Sequence, residues 1–188
     1  MASALQIPLH WKAPKRIFVN SMSDLFHEAL PDEAIDRVFA IMALCPQHIF
    51  QVLSKRPERM LAWFRSFNES GAEHRGEQCA EWVLLHEFTE EQIETGAGSK
   101  FWRGLPNVGL SVSLEDQKTA DERIPLLLDT PAAVRFVSYE PTLDPVDFTR
   151  LTTSQSGRLL DSLLRTPVEW HSMITRKVAS ARAKTASL

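Results

Sequence analysis

The chain has 188 residues, 44% of them hydrophobic and 24% charged, values that suit one folded domain with a real core and exclude global disorder. Its net charge of −3 and pI near 6.1 argue against a broad nucleic-acid footprint and leave room only for a local basic patch. Met1–His10 lacks the charged-then-apolar build of a signal peptide, and no apolar run approaches the ~20 residues that cross a bilayer, so a cytoplasmic protein with no membrane contact is expected.

Arg16-Ile17-Phe18-Val19 is the first strand expected, a continuous apolar run of the kind buried on both faces of a sheet. It ends in Asn20-Ser21-Met22-Ser23-Asp24. Asp32 and Glu33 then favour a helix start through capping and the helix dipole, and Ile35, Val38, Phe39 and Met42 follow helical spacing. A second strand, Ile49–Leu53, leads into Ser54-Lys55-Arg56-Pro57, where Pro57 suits the first turn of a helix carrying Met60, Leu61 and Phe64.

From Asn68 to Leu105 the pattern loosens into an irregular crossover, with a helix expected over 81–93 and Gly96, Gly98 and Gly104 marking a flexible connection. Regularity returns with a third strand over 107–112, ending at Ser113-Leu114-Glu115-Asp116. A helix follows through Ala120–Leu128, with Pro125 expected to kink it. Residues 133–137 form a fourth strand, ending at Ser138-Tyr139-Glu140-Pro141. Leu151–Gly157 reads as a polar linker, Arg158–Arg165 as an amphipathic helix, and Arg176–Leu188 as a basic helical tail.

Strands alternating with helices define an α/β protein of parallel strand–helix units. A closed barrel needs eight such units, so the sequence supplies about half of one, a partial TIM-barrel-like domain over 1–148 followed by a linker and tail over 149–188.

In a parallel sheet the four strand ends share one edge, which is where α/β proteins bind ligands. The candidate binding residues there are Asn20, Ser21, Ser23, Asp24, Ser54, Lys55, Arg56, Ser113, Glu115, Ser138 and Glu140. Lys55 and Arg56 suit a carboxylate or phosphate, and Glu115 and Glu140 suit an amino group or ribose hydroxyls. The same residue types also cap helices and form turns, so each has a structural reading beside the functional one. His27, beside Glu28, is either an acid–base group or a capping side chain. Cys45 and Cys79 show no metal-ligand spacing, and two thiols of this kind read as small buried hydrophobes.

The segments Pro8–His27, Phe50–Met60, Leu105–Gln117, Ala120–Leu128 and Arg135–Pro141 resemble, in that order, blocks of the phage gene product 37/68 family of bacterial and prophage proteins. The resemblance covers roughly residues 8–148 and implies a barrel related to radical S-adenosylmethionine enzymes. Full-length members carry an N-terminal three-cysteine segment that implies an iron–sulfur cluster, and a C-terminal Gly-Gly-Glu-Ser turn with a cysteine-containing helix. This sequence has neither, and its tail beyond Phe148 does not follow the family pattern. Radical chemistry needs the cluster, and the cluster needs closely spaced thiolates. The expectation is therefore a truncated remnant or subunit of such a barrel, with no cofactor of its own and no catalysis alone. The alternative is a non-catalytic interaction module, since a half barrel invites self-association or a protein partner that completes it.

Overall fold

A computed structural model of the protein describes residues 4–66 and 104–148, and all of these but Phe148 belong to the compact unit Met1–Asp147. The crossover expected over 68–105 (apart from Gly104 and Leu105), the helix over 81–93, Cys79 and the segments after 148 lie outside the described residues.

The N-terminus forms a short 3-10 helix, Ala4–His10, an element the sequence reading does not anticipate. Four strands follow in the described chain: β1 (Arg16–Val19), β2 (Ile49–Ser54), β3 (Val108–Leu114) and β4 (Val134–Tyr139). Between them run α1 (Asp32–Leu44), α2 (Pro57–Ser66) and α3 (Gln117–Asp129). All three strand pairs are parallel and the order across the sheet is β1-β2-β3-β4. The expected α/β plan of parallel strand–helix units is therefore present, and among the described residues the four strands form an open sheet that does not close into a barrel.

Several boundaries differ from the sequence reading. β2, β3 and β4 each run further, so that Ser54, Ser113 and Ser138 sit inside strands instead of after them. α3 starts three residues earlier than expected, because Asp116 caps it: its carboxylate accepts from the Thr119 backbone N–H (2.8 Å), while the Thr119 hydroxyl oxygen accepts from the Asp116 N–H (3.1 Å). The helix continues through Pro125 to Asp129, and the proline ends nothing. At α1, Asp32 and Glu33 sit in the first turn while Pro31 holds the cap position without a side-chain bond, so the two acids act on the helix dipole and not as caps. α2 does begin at Pro57.

The strand order has a geometric consequence. Each crossover moves one place in the same direction, so crossovers of one hand put every helix on one face of the sheet. Arg135, in register with Leu110, donates through Nε to the Leu127 and Thr130 carbonyls at the end of α3 (both 3.1 Å), which fixes the helix-covered face. On that face Phe50, Val52, Val108, Leu110, Val112 and Leu114 are all buried. β3 is buried along its whole length, including Ser111 and Ser113, which alternate with its apolar residues, as suits a strand covered on both faces.

α1 and α2 lock together through aromatic contacts. Phe39 stacks on Trp63 with ring centroids 4.5 Å apart and meets Phe64 edge-on at 5.5 Å, while Phe26 closes the cluster against Trp63 at 6.1 Å. Such pairs contribute about 0.5–1.5 kcal/mol each beyond their burial. The Trp63 indole donates to the buried Asp36 carboxylate at 2.9 Å, a buried polar bond that joins α2 to α1.

The amino edge of the sheet is held by His48, which is fully buried. Its Nδ1 accepts from the Lys15 backbone N–H (3.2 Å), so Nε2 carries the proton and donates to the Pro8 carbonyl (3.0 Å). Asn107 donates from Nδ2 to the Met42 and Cys45 carbonyls (2.9 and 3.1 Å), tying the approach to β3 to the end of α1.

Candidate functional site

Because the strands are parallel, the chain leaves all four at one edge, and each exit contributes polar groups there. β1 ends at Asn20, whose φ of 55° is a left-handed turn conformation that asparagine tolerates. Ser21 and Ser23 stand exposed in this turn. The chain then doubles back, and Asp24 is brought against the end of β2.

Asp24 is the most heavily bonded group of the edge. Its Oδ1 accepts from the Phe26 N–H and from the buried Ser54 hydroxyl (both 2.9 Å). Its Oδ2 accepts from the Lys55 N–H (2.8 Å) and from Arg56 Nη1 (3.1 Å). Burial pushes this carboxyl up, but the backbone N–H groups of Lys55 and Phe26, the Ser54 hydroxyl and the Arg56 guanidinium outweigh it and hold it below the usual aspartate range. Ser54 Oγ also accepts from the Arg56 N–H (2.9 Å), so the first turn of α2 is capped by β2 and by the β1 exit together. Arg56 reaches on through Nε to both oxygens of Glu28 (3.0 Å each).

A second centre sits at the end of β3. Glu115 Oε1 faces Lys55 Nζ at 2.7 Å, and Oε2 faces Arg123 Nη1 at 2.9 Å. Ser113 Oγ lies 3.2 Å from Glu115 Oε1 and 3.3 Å from the Glu140 carbonyl, linking the exits of β3 and β4. Burial raises the Glu115 carboxyl, and Lys55, Arg123 and Ser113 bring it below its ordinary range. The Glu115 carbonyl accepts from the N–H groups of Leu143 (2.9 Å) and Asp144 (3.3 Å), folding the segment after β4 over this centre. Glu140 is exposed and joined to Pro141 by a cis peptide bond. Ser138 is in register with Ser113 and half-buried.

Of the residues expected at this edge, Asp24, Ser54, Lys55, Arg56, Ser113 and Glu115 form one connected network, and Glu140 joins it through its carbonyl. Asn20, Ser21, Ser23 and Ser138 lie at the same edge with no bond to the network among the contacts described. Two members escape sequence reasoning. Arg123, eight residues after Glu115, reaches back to it and to the Ser113 carbonyl (2.6 Å). The Asp116–Thr119 capping pattern is the signal that would have placed α3 correctly and turned Arg123 toward β3. Glu28 was seen only as the neighbour of His27. His27 itself is exposed and accepts the Ala29 N–H at Nδ1 (3.1 Å), a turn-forming role.

The network shows different groups to solvent than to the protein. The Lys55 side chain is 55% exposed against 12% for Glu115, so the carboxylate is a half-buried anchor that holds a cation outward. The edge carries the carboxylates Asp24, Glu28, Glu115, Asp116, Glu140, Asp144 and Asp147 and the cations Lys55, Arg56, Arg59, Lys118 and Arg123. A zwitterion or a small cation fits that balance better than a bare anion.

An iron–sulfur cluster does not fit these residues. Cys45 follows the last residue of α1, on the amino side of β2 and so at the opposite edge of the sheet. Burial pushes its thiol up to about 11, the reverse of what a thiolate ligand needs. Among the described residues no group of His, Cys, Asp and Glu is arranged to hold a metal ion, and no helix is long and apolar enough to cross a membrane.

Fold and edge together define an α/β protein with a singly wound, open parallel sheet and an ion-paired carboxyl edge. The chain belongs to the family described as protein of unknown function (DUF5131), whose model matches residues 1–180. That match continues past Phe148 to residue 180. No curated protein and no solved structure matches the chain.

Proposed function

We propose that this chain is a phage-type relative of the radical S-adenosylmethionine barrels that binds S-adenosylmethionine, or a similar zwitterionic nucleoside–amino acid, at the carboxyl edge and performs no radical chemistry with its own residues. The observation that carries this reading is the network in which the half-buried Glu115 and Asp24 hold the more exposed Lys55 and Arg56, within an edge rich in carboxylates. The outward cations suit the ligand carboxylate. Glu140 and Glu115 suit its ammonium group and ribose hydroxyls, and the excess of carboxylates suits a sulfonium. Resemblance to the phage gene product 37/68 blocks supports the choice of ligand, and the misfit of Cys45 to a cluster supports the absence of chemistry.

Calorimetric titration of the full chain with S-adenosylmethionine tests it. Saturable binding is expected, weakened about tenfold by Glu140→Ala, the loss of roughly one charge-assisted hydrogen bond. No heat at millimolar ligand, or binding indifferent to both Glu140→Ala and Glu115→Ala, overturns the reading.

A second reading, an interaction module, rests on the described sheet having four strands, half the number of a closed barrel; a partial barrel of this kind can be completed by a second copy or a partner. Sedimentation of the chain as a monomer at all concentrations, with no partner retained on an affinity column, removes this alternative.

A further inference from the structure

Lys55 is the outermost of three charges set in a row. Its Nζ stands 2.7 Å from Glu115 Oε1, and Arg123 Nη1 stands 2.9 Å from the other oxygen, Oε2. The Arg123 side chain is 18% exposed against 55% for Lys55. A ligand arriving at this edge therefore meets Lys55, with Arg123 behind Glu115.

Arg123 is itself held in place. The same Nη1 donates to the Ser113 carbonyl at 2.6 Å, near the end of β3. α3 carries Arg123 in its second turn, and the Asp116–Thr119 cap fixes where that helix begins. The Glu115 backbone is fixed as well: its N–H donates to the Thr119 hydroxyl oxygen at 3.0 Å, and its carbonyl accepts from Leu143 and Asp144. These bonds leave open the rotation of the Glu115 carboxylate, which the Ser113 hydroxyl and Arg123 then settle from its two oxygens.

The consequence falls on Lys55. An ammonium has three N–H donors and no acceptor. With Oε2 taken by Arg123, Glu115 offers Lys55 one oxygen, and among the described residues Nζ makes no other bond. Two donors thus stay available to a ligand. Without Arg123 the carboxylate is free to turn both oxygens to Nζ and draw the ammonium into a closed pair.

We propose that Arg123 is a positioning residue: acting through Glu115, it holds the Lys55 ammonium outward and so sets the preference of this edge for ligands that carry a carboxylate. The proposal rests on the zwitterionic nucleoside reading of the same edge and adds the group that tells a nucleoside with a carboxylate from one without. Lys55 touches the ligand, and Arg123 does not. A guanidinium suits the task because its planar fork meets the Ser113 carbonyl and the Glu115 carboxylate in one fixed geometry.

Calorimetric titration of the full chain with S-adenosylmethionine and with its decarboxylated form, which lacks only the carboxylate, tests the proposal. The unaltered chain should prefer S-adenosylmethionine by about tenfold, the worth of roughly one charge-assisted hydrogen bond. Arg123→Gln should bring that preference to within about twofold and leave affinity for the decarboxylated form unchanged. Arg123→Lys should keep part of the preference. A preference undiminished in Arg123→Gln overturns the proposal. So does an equal loss of affinity for both ligands, which is what a merely structural role produces. Side-chain nitrogen NMR of the Lys55 ammonium, assigned by its loss in Lys55→Gln, gives a readout that needs no ligand. Its resonance should shift or broaden in Arg123→Gln and less so in Arg123→Lys. If neither nucleoside binds the unaltered chain, the nucleoside reading falls, and the NMR decides the positioning role by itself: a Lys55 resonance unmoved by Arg123→Gln overturns it.

Discussion

Asp24 is where the candidate site and the stability of the fold meet. Four donors converge on one carboxylate from three sources: the turn after β1, the end of β2 and the first turn of α2. Replacing it with Asn keeps the size but offers an N–H to groups that are themselves donors. Asp24→Asn should cost roughly 2–3 kcal/mol, read as a lowered urea midpoint with unchanged m-value. Gly104 is a second residue with a single solution. Its φ is +89°, and a Cβ placed on it would stand 2.7 Å from the Ala132 Cα and 2.8 Å from the Ala133 backbone nitrogen. Backbone cannot step aside as a side chain can, so Gly104→Ala should destabilise by about 1–3 kcal/mol, measured the same way. Asp24 was legible in the sequence as a polar strand end. That it would be anchored by Ser54 and Lys55, thirty and thirty-one residues later, was not, because local pattern carries no information about which loops share an edge until the register is known.

At the scale of elements, the apolar runs and helical spacings placed every strand and helix of the described chain except the 3-10 helix, with β1 and the start of α2 in place and the ends of β2, β3, β4 and α3 displaced. The errors have one source. Polar residues at strand ends read as punctuation, yet Ser54, Ser113 and Ser138 continue their strands because backbone pairing, and not side-chain polarity, decides where a parallel ladder stops. α3 shows the reverse case, a start written in the sequence as Asp116 and Thr119 and overlooked for the apolar periodicity beyond it. Thr119→Ala removes the hydroxyl that accepts from the N–H groups of Glu115 and Asp116. It should cost about 1 kcal/mol of stability and loosen Arg123, detectable as faster amide exchange across the first turn of α3.

For the whole molecule, the strand order distinguishes a barrel wall from a doubly wound sheet. A doubly wound sheet reverses its winding and binds ligands at the reversal. Among the described strands the order does not reverse, so the carboxyl edge is what their loops share, and the site reading rests on that. The edge also governs acid stability. Asp24 and Glu115 both titrate below their ordinary values of 3.8 and 4.5 in the folded protein. Groups lowered in this way add stability that is fully present above the unfolded-state values and is lost as pH falls through the folded-state ones. Thermal stability should therefore hold down to about pH 5 and then decline with acidification, and Glu115→Gln should flatten part of that decline. An unchanged slope in the variant would mean that the network contributes nothing at acid pH.

The same consecutive winding sets distances along the chain. Parallel partners are separated by 33 residues in the β1–β2 seam (Arg16 to Ile49), 25 in the β3–β4 seam (Gly109 to Val134), and 58 in the β2–β3 seam (Phe50 to Val108). Closing the middle seam costs about 0.7 kcal/mol more loop entropy than closing the β3–β4 seam. Each outer seam also brings its own crossover helix with it. Order of assembly is thus encoded in the route of the chain: two strand–helix–strand halves form first and dock along β2 and β3. Conservative truncations at Val52 or Leu110 should then speed unfolding with little effect on the folding rate of either half.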